Sequence, residues 1–267
     1  MSTLKIEFTP TGTVPVSGYR VKYRVAGSGD FYTYVTPNPV LNLALNGTDY
    51  YFEIMGLTAG VSYEGTMEGE CDPGVFSGLA NFRGTVSCLI GLPYQGGKIA
   101  YVFKPGDVGY IAEQCHGMIA AYADLGQAPW GCAGTNLPGA QGTAIGTGRQ
   151  NTLDILAGCA TPGIAARICD QYFITENGIL FDDWFLPSLD ELQLLCENKV
   201  AIGGFKMTFD YVILPFYWCS TEYNAGTGTG QGSNVVEIRN FSVNECNGYG
   251  GAINKYSLAL VRPVRYF

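Results

Sequence analysis

Along the first seventy or so residues, short runs of β-formers recur, several of them with apolar residues at every second place. LKIEF (4–8), GYRVKYRV (18–25), FYTYV (31–35), DYYFEIM (49–55) and VSYEGTMEGEC (61–71) alternate or cluster β-formers, with turn residues between them. Runs of this kind bury one face each, so the pattern predicts a sandwich of about seven strands. The rhythm changes in LANFRGTVSCLIGLPYQ. That change separates an all-β domain over 1–86 from a second domain over 87–267.

The second domain mixes periods. GGKIAYVFKPGDVGYI (96–111) reads as a short strand, a turn and more strand. GRQNTLDILAGCA (148–160) reads as a helix with Asn151 as N-cap and Asp154 three residues later. TPGIAARICDQYF (161–173) reads as a helix with Thr161 as N-cap, Pro162 in the first helical position and an apolar stripe of Ile164, Ile168 and Tyr172. The clearest helix start is LPSLDELQLLCENK, where Ser188 and Glu191 form a capping box and Leu189, Leu192, Leu195 and Cys196 supply the buried face. Trp184, Phe185 and Leu186 read as an apolar strand feeding that helix, and Tyr217 and Trp218 open another strand. Leu258, Leu260, Val261 and Val264 are apolar enough to return the C-terminus to the sheet. The expectation is an α+β domain, with two or three short helices on a small irregular antiparallel sheet.

Composition narrows the function. Of 267 residues, 47% are hydrophobic and 14% charged, a balance that supports a packed core and disfavours disorder. A net charge of −8 leaves no basic surface for phosphate backbones or anionic membranes. No apolar run approaches the roughly 18 residues of a spanning helix. The start, MSTLKIEFTP, lacks a basic stretch followed by an apolar one, so no secretory signal is expected.

Candidate chemistry is sparse. The nine cysteines have no metal-site spacing and read mostly as small buried apolar residues, with one or two disulfides open to them and spacing unable to pair them. His116 is the single histidine; Cys115 beside it would point to the opposite strand face, so His116 reads as structural and no Cys–His dyad is expected. There is no GxSxG elbow, and GTGTGQG (226–232) leads into the strand-like SNVVEIRNF, where a phosphate loop needs a helix. The acidic group Asp182, Asp183, Asp190 and Glu191 reads as helix-capping carboxylates ahead of a calcium site. The sequons Asn46-Gly47-Thr48 and Asn240-Phe241-Ser242 read as chance. No catalytic residue, metal or cofactor is expected.

Two resemblances extend these readings. GYRVKYR, followed by GLTAGVSYEGTMEGEC with Leu57 six residues before Tyr63 as in a tyrosine corner, resembles a fibronectin type III domain. This implies a spacer or docking role and no catalysis. Further on, GGKIAYVFKPGDVGYIAEQCHGMIAA, WGC (130–132), GTGRQNT, AARICD, DDWFLPSLDEL, GGF, YWCSTEY and VRPVRYF follow in an order that resembles the Lcl C-terminal-like domain family of C-type-lectin-like folds. The similarity runs over residues 96–267. It departs from the family pattern at Cys115 and Cys219, where a Thr-like and a Ser-like residue are usual. The resemblance implies a fold that closes on itself and exposes the long loops between its last strands. The Glu-Pro-Asn, Gln-Pro-Asp and Trp-Asn-Asp triplets of calcium-dependent sugar binders are absent.

Some Lcl-like domains are variable proteins of diversity-generating retroelements, in which adenine-directed mutagenesis rewrites a C-terminal segment. Asn codons carry two adenines, and residues 217–256 are rich in Asn, Ser, Thr, Gly and Tyr. Val235, Ile238, Phe241 and Ile253 can anchor this region to the core. Tyr223, Asn224, Thr227, Thr229, Asn234, Asn240, Asn244, Asn247, Tyr249 and Asn254 would then form an exposed ligand-binding face. The resemblance thus implies a non-enzymatic receptor-binding display protein on a phage or virus tail. Its partner would be a host-surface protein or glycan, with no nucleic acid and no membrane insertion. It admits a homotrimer, or docking to other virion proteins through the N-terminal domain. A fixed-specificity carbohydrate-binding lectin or bacterial surface adhesin is the alternative.

Overall fold

Alternation at every second residue leaves a strand no choice but to bury one face. The computed structural model describes residues 2–8, 18–29, 32–36, 42–43, 50–57, 61–72, 75–85, 88–112, 115–176, 178–210, 212–222, 234–242, 246 and 251–267; before residue 88 its side chains are described at 20–29, 61–69, 78 and 81–84. The chain divides into two compact units, one of Met1–Cys88 with Glu113–Cys115, the other of Leu89–Ala112 and His116–Phe267. Among the described residues both are rich in sheet, and the few helices lie in the second.

The first unit holds β1 (Ser2–Phe8), β2 (Gly18–Val25), β3 (Tyr32–Thr36), β4 (Asn42–Leu43), β5 (Tyr50–Leu57), β6 (Ser62–Asp72) and β7 (Val75–Thr85). They form two antiparallel sheets, ordered β1-β5-β4 and β3-β2-β6-β7. Register between β2 and β6 sets Val21 opposite Met67 on the buried side, and Arg20 opposite Glu68 and Arg24 opposite Glu64 on the other. The two charged pairs bond at 2.7 and 2.8 Å from the arginine Nε. Cross-strand pairs of this exposure contribute about 0.2–1 kcal/mol each. Gly65 also falls on the buried side, and a Cβ there would collide with the Lys22 carbonyl oxygen and the Phe82 ring, which is why glycine occupies it. Tyr63 is buried with its ring edge-on to Tyr23, at 6.1 Å between centroids; the Leu57 side chain of the expected tyrosine corner lies outside the description.

The second unit holds β8 (Pro93–Tyr94), β9 (Gly97–Val102), β10 (Gly117–Ala121), β11 (Gln127–Pro129), α1 (Gly148–Gly158), α2 (Ala165–Asp170), β12 (Ile174–Glu176), β13 (Ile179–Phe181), α3 (Leu189–Glu197), α4 (Lys199–Ile202), β14 (Phe216–Glu222), β15 (Val235–Asn240), β16 (Ala252–Asn254), β17 (Leu258–Leu260) and β18 (Val264–Tyr266). A four-stranded sheet runs β18-β10-β9-β8, a five-stranded sheet runs β11-β17-β14-β15-β16, and β12 pairs with β13 alone. The β14–β17 contact is parallel, the rest antiparallel. The C-terminus does return to the sheets, β17 to one and β18 to the other. Trp130, Tyr217, Trp218, Phe241, Leu192 and Leu195 lie in the shared core.

Several local expectations are corrected. Residues 103–111 form turns instead of more strand: the Asp107 carboxylate accepts from Lys104 N and Tyr101 OH at 2.8 Å, and Gly106 and Gly109 take positive φ. Residues 184–186 make only one bridge, Phe185 to Val264, although all three are buried. Thr147, not Asn151, is the N-cap of α1; Asn151 lies inside the helix, where its amide bonds to Gly142 and Ser220. Ile164, not Thr161, precedes α2, because Gly163 at φ +66° turns the chain after Pro162. Among the described residues, four α-helices replace two or three. The capping box of α3 is present as expected, with Leu192, Leu195 and Cys196 buried and Leu189 half-buried.

The cysteines need the largest correction. Cys88–Cys115, Cys132–Cys159 and Cys196–Cys246 are disulfides, while Cys169 and Cys219 are buried free thiols. The reading of most cysteines as unpaired core residues fails because pairing joins positions far apart in sequence, which spacing cannot show.

Candidate functional site

Three strands converge on the Asn-, Gly- and Thr-rich region. β14 ends at Glu222, β15 starts after Asn234, and β16 runs into Lys255. β15 alternates half-buried Val235, Glu237 and Arg239 with buried Val236, Ile238 and Asn240. Phe241 is buried and Ile253 is half-buried against the core, so Ile238, Phe241 and Ile253 face inward as expected, whereas Val235 shares the half-buried strand face of Glu237 and Arg239 and is corrected as an anchor.

The roots of this region are joined by an ion pair. Glu222 and Lys255 side chains are both 0% exposed. Lys255 Nζ donates to the Glu222 carboxylate and, at 2.6 Å, to the Thr135 carbonyl, and it lies 4.8 Å from the centre of the Trp130 ring. Leu137 N donates to the second Glu222 oxygen at 2.7 Å. Trp130 is itself held, its indole N–H donating to the Cys219 carbonyl at 2.9 Å. A charged pair removed from water in this way is sustained only when its other polar atoms find partners, as they do here.

A second attachment lies beside α3. Cys246 is disulfide-bonded to Cys196, Gln193 Nε2 donates to the Cys246 carbonyl at 2.9 Å, and Lys199 Nζ donates to the Ser242 carbonyl at 2.6 Å. Arg239 Nε donates to Gln193 Oε1 at 2.9 Å, tying β15 to the same helix. Under β14, Thr221 accepts from Leu189 N at 3.0 Å and donates to the Gly142 carbonyl at 2.7 Å, while Ser220 N donates to the Pro187 carbonyl at 2.7 Å.

Burial raises the carboxyl pKa of Asp190 and Glu237 above the usual range, with the nearby Arg239 pulling each back. Burial likewise raises that of Glu191, against bonds from Tyr266 OH, Ser188 N and Gly146 N. Cys219, whose place in the family pattern was in question, is an inert thiol: burial pushes it up to about 12, and its Sγ lies 3.1 Å from the Glu237 carbonyl.

Of the ten face residues expected from the sequence, Tyr223, Asn224, Thr227, Thr229, Asn244, Asn247 and Tyr249 lie outside the described residues. Asn234 is exposed in the turn before β15, and Asn254 is half-buried opposite Val235. Asn240 is the correction. It is only 9% exposed, and its Oδ1 accepts from Ser242 N at 2.9 Å, so it shapes the turn leaving β15 and does not present its amide to a partner. Glu222, Lys255 and Trp130 were not expected; a Lys and a Glu at the ends of apolar segments were the available signal, and nothing in their spacing paired them.

The acidic group disperses. Asp183 pairs with Arg265 through two bonds, Glu191 caps α3, Asp190 lies in the first turn of α3 and Asp182 is exposed. Among the described residues no three His, Cys, Asp or Glu side chains gather as a metal site. Cys115 is in a disulfide, and His116 Nδ1 lies 3.1 Å from the Phe267 carbonyl, which leaves the pair no thiol for a dyad. The cleft between α1 and residues 182–185 places Thr152 beside Asp182 and Asp183, but the Thr152 hydroxyl is engaged by Gly148 and Leu186. No protein-family model matches the chain, and no curated protein matches it.

Proposed function

We propose that the chain is a non-enzymatic ligand-display protein. In this reading the second unit is a C-type-lectin-like domain of the Lcl type that binds a host-surface protein or glycan, and the first is a fibronectin type III-like spacer or docking module. The observation that carries the proposal is the way the Asn-rich region is attached. The buried Glu222–Lys255 pair, the Cys196–Cys246 disulfide and the half-buried strand β15 hold its roots. The residues between them are drawn from types suited to contact and to irregular backbone. Such a division between fixed supports and free positions suits a variable protein of a diversity-generating retroelement.

Further support comes from topology. β18 returns beside β10, which pairs with β9 near the start of the unit, a closure expected of a lectin-like fold. The three- and four-stranded antiparallel sheets of the first unit agree with an immunoglobulin-type sandwich. The three disulfides among the described residues suit an oxidising setting, which a virion surface and a bacterial cell surface both provide.

The test is to sequence the gene deeply in its natural population and search the adjacent DNA for a near-identical template repeat and a reverse transcriptase. Substitutions concentrated at adenine-containing codons within 217–256 are the expected result. An even spread along the chain overturns the retroelement reading. One tight sugar class on a glycan array would then favour the fixed-specificity lectin.

A further inference from the structure

We infer that Cys196–Cys246 is a thiol-responsive clasp, made easier to reduce by the buried ammonium of Lys199. Lys199 opens α4, three residues after Cys196, and its Nζ lies 3.2 Å from Cys246 Sγ and 4.0 Å from Cys196 Sγ. The bond to the Ser242 carbonyl, at 2.6 Å, keeps it there. A disulfide sulfur is a weak acceptor and gains little from this neighbour. A thiolate in the same place gains a full charge pair in a water-poor setting, so the ammonium favours the reduced state and the leaving group on the way to it.

The exchange is balanced with a dithiol as reductant. One thiolate of the dithiol attacks Sγ of the half-exposed Cys246. The Cys196–Cys246 bond breaks, a mixed disulfide forms on Cys246, and the electron pair leaves on Cys196 Sγ, within reach of Lys199. The second thiolate of the reductant attacks its own sulfur in the mixed disulfide, and Cys246 departs as a thiolate facing Lys199 Nζ. The reductant ends as a disulfide, the protein has gained two electrons, and the two dithiol protons pass through solvent to the cysteine thiols.

Cys132–Cys159 is the internal control. It too joins one half-exposed and one buried cysteine, but Cys132 Sγ faces the Thr161 hydroxyl at 3.5 Å, and the neighbouring Arg167 guanidinium donates to the backbone carbonyls of Cys159 and Thr161, at 2.9 and 3.4 Å, where Lys199 donates to a sulfur. Opening the clasp removes the covalent tie between Cys246 and α3. That ligand affinity would then respond to thiols rests on the proposed binding function; the clasp itself does not.

The experiment takes the oxidised full chain into dithiothreitol buffers of set potential, traps thiols by alkylation and locates them by mass spectrometry. Cys196 and Cys246 should be labelled about tenfold sooner than Cys132 and Cys159. Lys199→Met should slow that labelling about tenfold and make the midpoint potential about 30 mV more negative, with Lys199→Arg restoring much of the difference. Near-UV circular dichroism of the oxidised variants verifies their fold. Equal rates for the two disulfides in the unaltered protein, or an unchanged rate and potential in folded Lys199→Met, overturn the inference. The comparison within the unaltered chain needs no variant to fold. Because alkylation reads no ligand, a negative result here is separate from a failure of the binding function.

Discussion

At the scale of single residues, the supports of the proposed face are polar groups in the core. Glu222 and Lys255 have each lost all contact with water, and each would be left as an uncompensated charge if the other were removed. Lys255→Met is therefore expected to destabilise the fold by about 3–5 kcal/mol. The double variant Glu222→Gln with Lys255→Met should lose clearly less than the two single losses added together. Guanidinium denaturation of the three variants checks both. Glu191 makes a different prediction. Its carboxyl pKa is raised by burial from the ordinary 4.5, so the folded state holds the proton more tightly than the unfolded. The stability this contributes is complete below the unfolded value and is lost as pH rises through the raised folded value. Glu191→Gln should thus flatten the fall in stability over the acid-to-neutral range, while lowering stability overall, because an amide must face three donors in place of a carboxylate. Melting temperatures of both forms across that range decide it. Apart from Ser188, which the capping box already joins to Glu191, none of these partners was visible beforehand. A sequence shows which residues can ionise, and only the fold shows which of them meet.

Elements were easier to anticipate where one local rule acts alone. The alternating and clustered β-forming runs of the first unit became β1, β2, β3, β5 and β6 within a residue or two of their expected ends. The box at Ser188 and Glu191 also formed, since its two reciprocal bonds lie within one turn of chain. Ser188→Ala should cost about 1 kcal/mol through the cap alone. The loss should be larger here, because the same hydroxyl also bonds to the Ala144 carbonyl at 3.0 Å; urea denaturation measures it. Where a distant partner competes with a local rule, the reading failed. Asn151 is a good N-cap type, yet its amide is taken by Gly142 and Ser220 across the unit, so the helix starts earlier. The apolar run at 184–186 satisfies its need for burial without a ladder, because β18 offers Val264 alone as a bridge partner. Hydropathy reported the burial of these three residues and could not report their pairing.

Across the whole molecule, the disulfides were the least legible feature and have the widest consequences. Two of them frame the second unit, joining Cys132 to Cys159 and Cys196 to Cys246, over separations of 27 and 50 residues. Closing loops of these lengths removes freedom from the unfolded chain by an amount worth about 3–4 kcal/mol each. That reserve, together with the buried ion pair, bears on how much change the Asn-rich region can accept. If its residues are free positions on fixed supports, a saturation library over 217–256, displayed and sorted for protease resistance, should divide sharply. Substitutions at Asn224, Thr227, Thr229, Asn244 and Asn247 should fall within about 0.5 kcal/mol of the parent. Those at Glu222, Phe241, Cys246 and Lys255 should fail. Asn240 should fail with them, since its amide is spent on the Ser242 backbone, although its residue type alone groups it with the tolerant set. A library in which Asn240 varies as freely as Asn247 would break the division between support and display on which the proposed function rests.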